Sequence, residues 1–361
     1  METFAFIIHP LTAADITRKF PLAAKLPERM LEGICRYLPP MEVSKITGVC
    51  SPYAEAEGWF VSCGLTSRQM LELPEEYVLR KIIQAGKKAE KLGAKIVGLG
   101  AFTAVVGDAG ITVARHLNIP VTTGNSYTVA MALEGTRLAA REMGIDLRTA
   151  QVAVVGATGS IGSTCARILA RECRYLTLYG RNGNKLQRLA QKIAAETGLA
   201  AKISSNLQET LAGADVIITV TSAVDAIIEP EHLKPGAVVC DVARPRDVSL
   251  RVARERDDVL VIEGGVVKVP EGTEFNFNFG FPPVTAYACM AETMLLALER
   301  RYECFSLGRD ITVAQVDEIS RIAEKHGFKL AGLRSFERAL TREQIQAVAR
   351  RVGKRRKCNR P

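Results

Sequence analysis

A chain of 361 residues with 47% hydrophobic and 24% charged side chains is too long for one ordinary core and too apolar for disorder, so it reads as two globular domains. Nine cysteines without a CxxC pair, and four scattered histidines, exclude a disulfide framework and a metal site and point to reduced thiols in a cytoplasm. The net charge of +9 is unevenly placed: from Arg334 onward ten basic residues face two acidic ones, which leaves +1 for residues 1–333.

The N-terminal run METFAFIIHPLTAAD has no basic leader or small-residue cleavage site and reads as a first strand. The longest apolar stretch, IVGLGAFTAVVG, is too short and too rich in glycine to span a bilayer. Up to residue 147, β-like runs (FAFII, GWFVSC, AKIVGLG, IPVTT) alternate with helical stretches, the longest from about Glu75 to Leu92. Residues 1–147 are therefore expected to form an α/β substrate domain. A helix from about Tyr127 to Met143 leads into the polar turn of GIDLRTAQ, where the border is placed.

Residues 148–281 show a steady β-α alternation, with strands at Val152 to Val155, Leu176 to Tyr179, Val216 to Val220, Val238 to Asp241 and Leu260 to Ile262. That is the pattern of a doubly wound parallel sheet, a Rossmann domain. VAVVGATGSIGS runs from a buried strand through Gly156, Gly159 and Gly162 into a helix. The first glycine permits the tight turn, the second admits a pyrophosphate and the third packs helix on strand; Thr158, Ser160 and Ile161 complete the phosphate loop. At the end of the next strand LTLYGRN offers no carboxylate for a ribose and instead has Arg181, with Asn182 and Lys185, where a 2′-phosphate would lie. NADPH is the expected cofactor. Three later strand ends outline a nicotinamide pocket: Thr219, Thr221 and Ser222 in TVTSA, Ala243 and Arg244 with Asp241 in DVARPRDV, and Gly264 with Gly265 in EGGVV. Each of them taken singly also suits an ordinary loop.

In FGFPPVTAYACMAETMLLALE, Pro282 and Pro283 suit the first turn of a helix and set Cys289 near its positive end, where a thiolate is favoured and the thiol pKa should fall. The alternative is a core cysteine among Tyr287, Met290, Met294, Leu295 and Leu298. Residues 282–333 are expected to return as helices closing a cleft. Residues 334–361 read as a basic tail with one helix, Thr341 to Val352, whose Thr341 and Gln344 have capping-box spacing. The tail reads first as a solvated basic terminus, and otherwise as a surface for an acidic partner or an anionic membrane, with nucleic acid not expected.

With these residues in place the sequence resembles the cyanobacterial long-chain acyl-[acyl-carrier-protein] reductases. The likeness runs through FIIHPLT, SCGLTSRQML, GLGAFTAVV, TTGNSYT, VAVVGATGSIGS, EGGVV, AYACMAE, SLGRDITV and KHGF, and stops before the tail. The resemblance implies that Cys289 is the acylated nucleophile, that the substrate is an acyl-carrier-protein or coenzyme A thioester, and that the product is a fatty aldehyde made with NADPH. Oxyanion donors are expected at the start of the helix after TTGNSYT, from Thr123, Asn125 and Ser126, and N-capping explains the same residue types. Tyr127 stands where the family's segment has histidine, and is carried as a further catalytic candidate. His9 and His326 match the family and read as structural histidines; Phe275, Phe277, Phe279 and Phe281 suit an acyl channel or a strand's buried face equally.

Two enzyme alternatives share the two-domain plan. A shikimate-type dehydrogenase lacks its NVTxPxK segment in this chain, and a glutamyl-tRNA reductase its STCNR segment, since Cys35 lies in GICRYL and Cys50 in GVCSPY. A non-catalytic NADP-sensing or nucleic-acid-binding protein would need only the glycine turn and the tail.

Overall fold

The computed structural model describes residues 1–12, 15–17 and 25–358, the last six by backbone alone. The chain forms two compact units, one of Met1–Tyr127 with Val267–Lys329 and one of Thr128–Val266 with Leu330–Pro361. The first division falls inside the Asn125–Glu142 helix, not at the polar turn near residue 147, because that helix carries the chain from one unit into the other without a break.

The first unit is built on a sheet of order β2-β3-β1-β4-β5, from β1 (Glu2–Ile8), β2 (Glu42–Cys50), β3 (Glu55–Ser62), β4 (Val97–Leu99) and β5 (Val121–Thr122). β1 pairs in parallel with β3 and β4, and β4 with β5, while β2 runs antiparallel to β3. The Glu75–Lys91 helix buries Val78, Ile82, Ala85 and Ala89, a stripe at helical spacing, against the apolar side chains of β1 and β3. The Ala288–Leu298 helix lies close on β4: a Cβ on Gly98 would meet Thr293 Oγ1 at 2.0 Å and the Phe6 ring at 2.5 Å. Every residue of that helix is buried except Cys289.

That helix begins at Ala288, not at the two prolines. Val284 sits in the left-handed region with φ at 52°, which no helix can pass through, and Thr285–Tyr287 then form a short strand. Cys289 is consequently the second residue of the helix, nearer to its positive end than a start at the prolines would set it. The alternating phenylalanines also lie in a loop and not on a strand, with Asn276 at a φ of 50°.

The second unit holds an all-parallel sheet of order β11-β10-β9-β6-β7-β8, from β6 (Gln151–Val155), β7 (Tyr175–Tyr179), β8 (Lys202–Ser204), β9 (Val216–Thr219), β10 (Val238–Asp241) and β11 (Leu260–Glu263). This is the doubly wound Rossmann order, with its switch point between β6 and β9. Near-continuous apolar runs such as VIIT and VVCD are buried on both faces, as a sheet covered by helices requires.

The segment read as a solvated tail folds onto this second unit. Arg334–Ser335 pairs with Arg338–Ala339, Phe336 packs against the core cluster around Val239 and Val261, and the following helix buries Ile345 and Val352. The expected capping box forms, with Thr341 N–H donating to Gln344 Oε1 at 2.8 Å, and the helix runs from Arg342 to Cys358. Among the described residues no helix is long and apolar enough to cross a membrane.

Candidate active site

The glycine turn at the end of β6 is shaped by contacts that leave no room for a side chain. Gly156 has φ at 82°, and a Cβ there would lie 2.3 Å from the Val220 carbonyl oxygen. A Cβ on Gly162 would lie 2.4 Å from the Gly156 carbonyl oxygen, so the helix can approach the turn only as glycine. Gly159 differs, since its Cβ would meet only the Gly156 oxygen at 3.4 Å, and the residue is exposed. It is also the N-cap of the Ser160–Leu169 helix, with no side chain to cover the first amides. An open, uncovered helix start behind a tight glycine turn fits the pyrophosphate of a dinucleotide. Thr158 lies over Gly180 at the end of β7, where a Gly180 Cβ would come within 3.3 Å of it. Arg181 and Asn182 follow, both exposed; Asn182 Oδ1 caps the Gly183–Thr197 helix by accepting from Lys185 N–H at 3.0 Å.

At the ends of β9 and β10 the structure adds a residue that the sequence reading passed over. Buried Asp247 accepts from Thr219 Oγ1 at 2.6 Å, from the Thr221 N–H at 2.9 Å and from the Thr221 hydroxyl. The two threonine hydroxyls thus hold the backbone of this edge in place, beside Ser222. Asp241 does the same for the next loop, accepting from Ala243 N–H at 3.0 Å and Val248 N–H at 2.9 Å. Burial pushes the Asp241 carboxyl up to about 7 and raises Asp247 as well. Arg244 donates to the Ala243 carbonyl at 2.7 Å, and Gly264 is packed so closely that a Cβ would meet Val242 at 2.6 Å. Gly265 follows with φ at 78°.

In the first unit, Cys289 stands at the edge where the parallel strands β1, β4 and β5 end. A Cβ on Gly100 would come within 3.7 Å of Cys289 Sγ. A Cβ on Gly124 would lie 2.2 Å from Cys289 Cα, so the loop after β5 passes directly over the cysteine, and only glycine at a φ of 72° allows it. One turn further along the same helix, Glu292 is fully buried and accepts from Thr122 Oγ1 at 2.5 Å and from Tyr127 N–H at 2.9 Å. Burial raises its pKa while these donors, with Gly124 and Ser306, work against the rise. Glu292 therefore ties the loop over Cys289 to the helix that carries Cys289. It is quoted in AYACMAE, yet nothing local marks it, because both partners lie far away in the chain.

The expected oxyanion residues gather in this loop. The Ser126 hydroxyl is 2.6 Å from Ser306 Oγ, and its N–H donates to the same oxygen at 3.1 Å; Thr123 Oγ1 donates to the Ser306 carbonyl. Ser126 and Tyr127 are fully buried and Asn125 retains 7% exposure. These bonds make Thr123 and Ser126 parts of the loop's own framework. His9, near the same edge, accepts from Phe102 N–H at 3.2 Å, and burial lowers its pKa to about 4, so it stays neutral. His326 bridges Ser51 Oγ and Glu299 Oε1, each at 2.7 Å, away from Cys289 in sequence and in contacts. Among the described residues no group of three or more His, Cys, Asp or Glu is placed to hold a metal.

Glu292→Gln is expected to lower stability by about 1–3 kcal/mol, since an amide cannot accept on both sides and one buried donor loses its partner. Urea unfolding at neutral pH measures it, and a midpoint equal to that of the wild type would deny Glu292 this role.

A parallel sheet in Rossmann order with a glycine turn at its switch point defines an NAD(P)-dependent oxidoreductase, and the family model for shikimate / quinate 5-dehydrogenase matches residues 137–263. The long-chain acyl-[acyl-carrier-protein] reductase of Synechococcus elongatus is 30% identical over 306 residues, covering 81% of this chain and 87% of that protein. The chain belongs to the family of that reductase, at a distance. Aminotransferase PigE of a Serratia species is also 30% identical, over 95% of this chain, although the chain spans only 41% of that longer protein. Among solved structures, the nucleotide-binding domain of glutamyl-tRNA reductase from Thermoplasma volcanium aligns at 20% identity with a TM-score of 0.27, covering 37% of this chain and 84% of that one.

Proposed function

We propose that the protein reduces a fatty acyl thioester, carried on acyl carrier protein or coenzyme A, to the aldehyde through an acyl group bound to Cys289. The observation that carries this reading is the placement of Cys289: it is the one residue with solvent access on an otherwise buried helix, at that helix's positive end, beneath a loop that needs glycine to pass. Burial instead pushes up the thiols of Cys63 and Cys240, each to about 12, and that of Cys173 to about 11, which keeps them neutral and inert.

In this reading Cys289 Sγ attacks the thioester carbonyl, the carrier's thiolate leaves with a proton from solvent, and the chain holds the acyl group as a new thioester. The loop Thr122–Tyr127, fixed by Glu292 and Ser306, covers one side of that carbon in this reading, and Asn125, with 7% exposure, is a candidate donor to the oxyanion. The glycine turn at Gly156, Gly159 and Gly162 would hold a nicotinamide cofactor, which would supply the hydride; the tetrahedral carbon so formed would expel Cys289 as thiolate and leave as aldehyde. A row of half-exposed rings suits an aliphatic chain: Phe279 and Phe281 are 5.8 Å apart between centroids, and Phe281 lies 4.5 Å from Tyr287, the N-cap of the cysteine helix. That row favours a fatty acyl group over the charged glutamyl group of the tRNA-reductase alternative.

Intact-protein mass spectrometry after incubation with acyl thioesters of several lengths tests this. Without NADPH the mass should rise by one acyl group; with NADPH the adduct should fall and aldehyde appear. An unmodified mass with every thioester would reject the reading.

Cofactor choice is assigned to Arg181. Arg181→Ala is expected to raise KM for NADPH about ten- to a hundredfold, the value of one charge-assisted contact to a 2′-phosphate, with NADH use little changed. Equal losses with both cofactors would assign Arg181 to the fold instead.

A further inference from the structure

A concentration of positive charge in the second unit lies away from the glycine turn. Arg137 and Arg141 sit one turn apart on the Asn125–Glu142 helix, Arg148 follows in the next turn, and Arg171 and Arg174 follow the Ser160–Leu169 helix; all five line one cleft of about 550 Å³. The two carboxylates of the lining are already engaged. Glu172 accepts from Arg137 Nε at 2.9 Å, and Asp146 Oδ1 accepts the Arg148 backbone N–H at 3.0 Å. Arg141, Arg148, Arg171 and Arg174 are exposed and make no ion pair with a described residue, although Arg171 lies near enough to Glu196 to help lower its pKa.

Helix dipoles explain part of this arrangement. Arg141 lies in the last turn of its helix and Arg171 just past the end of the other, where a cation offsets the partial negative charge of the terminal carbonyls. Arg148, in a turn, and Arg174, next to β7, have no helix end to answer. Five cations against two anions in one cleft contrast with a net charge of only +1 over residues 1–333. Solvent screens these exposed cations from one another, and an anion that reaches several of them at once is held by their combined field. Its volume falls within the range of about 300–1,000 Å³ that small-molecule sites occupy. Guanidinium forks match phosphate oxygens in pairs, and Ile145 and Leu147 add an apolar wall.

We propose that this cleft binds a phosphate-bearing small molecule with the size and charge of a nucleoside di- or triphosphate. It is distinct from the dinucleotide's place, since it opens where β6 and β7 begin, at Gln151 and Tyr175, whereas the glycine turn follows the other end of β6, at Val155. The proposal stands independently of the acyl-thioester reading.

The test is calorimetric titration of the full chain with inorganic tripolyphosphate, at fixed ionic strength and with NADPH saturating so that the dinucleotide site is filled. One-site binding is expected, weakened at least about tenfold when Arg148→Ala and Arg174→Ala are combined, with NADPH affinity unchanged. Arg174→Gln alone should weaken it by a smaller factor, and supplies the answer if the double variant does not fold. Equal affinity in wild type and variants, or no binding up to about 5 mM probe, overturns the proposal. So does a loss confined to Arg350→Ala combined with Arg351→Ala, which would put the anion on the C-terminal helix. An acidic carrier protein that binds through Arg148 and Arg174 while tripolyphosphate does not would overturn it in favour of a protein-docking surface.

Discussion

Cys289→Ser should abolish both the acyl adduct and aldehyde release, with a fall in turnover of about a thousandfold or more, while the protein folds and binds NADPH as before. The argument rests on nucleophilicity and not on packing. A serine hydroxyl stays protonated at neutral pH, and the two histidines named above are engaged by other groups, His9 by Phe102 and His326 by Ser51 and Glu299. Losses of this size are usual when a nucleophile is removed and only binding and oxyanion contacts persist. Serine is close in volume to cysteine, and Cys289 alone in its helix reaches solvent, so the exchange leaves the ten buried neighbours of the Ala288–Leu298 helix undisturbed. The glycine turn contains none of these atoms, which makes cofactor affinity the internal control. A serine variant that still makes aldehyde at a rate near wild type would sink the assignment of Cys289, whatever the mass spectra show. Cys50 and Cys304, both exposed, would then be the next thiols to replace.

The parts of this molecule that could be read from sequence are those whose causes are local. VAVVGATGSIGS declares its turn by the spacing of its glycines between a strand and a helix, although of the three only Gly162 is demanded by a local contact, with the Gly156 carbonyl, and Gly156 by the distant Val220; the apolar runs of β6, β9, β10 and β11 mark strands buried on both faces. The start of the cysteine helix was less legible. Two prolines are a fair helix-start signal, but the left-handed Val284 that cancels it has no signature in a β-branched residue. β2 is hard to read because its pattern, EVSKITGVC, is interrupted by a glycine, and its pairing with β3 shifts register. Glu292 could not be found at all by spacing, since its partners Thr122 and Tyr127 lie 170 and 165 residues away. Asp247 could have been found: an acid two residues past a proline, close after a strand end with two threonines opposite, is the usual material of a buried carboxylate staple. In the C-terminal segment the charge drew attention from the apolar residues. Ile345 and Val352 are seven apart, the spacing of one helical face, and that stripe outweighs the basic residues around it.

That stripe reverses the expectation for truncation. Had residues 334–361 been a solvated tail, removing them would leave turnover of a small thioester intact; packed as they are, their removal should unfold the second unit or leave it too weak to bind NADPH. Ile345 and Val352 retain 5% and 7% exposure, and burying each contributes about 1.5–3 kcal/mol. A second loss falls on Glu263, the last residue of β11, whose side chain is 2% exposed. It accepts the Glu337 N–H at 3.0 Å and lies 3.9 Å from Arg334, so the truncated chain would hold this carboxylate with Arg246 and Arg244 as its remaining neighbours. Loss of that buried contact costs about 1–3 kcal/mol more. Together these reach about 4–9 kcal/mol, against a typical total of 5–15 kcal/mol for a domain. Glu263 leads directly into Gly264 and Gly265, so loosening it also disturbs the strand edge proposed to hold the nicotinamide. Thermal unfolding and NADPH binding of a chain ending at Leu333 measure both effects. A truncated protein that melts where the full chain melts would mean that the helix from Arg342 is not held in solution. A shorter cut after Val352 separates charge from packing: it removes Lys354, Arg355, Arg356, Lys357 and Arg360 but keeps the apolar stripe, and should leave the melting temperature within a few degrees of wild type.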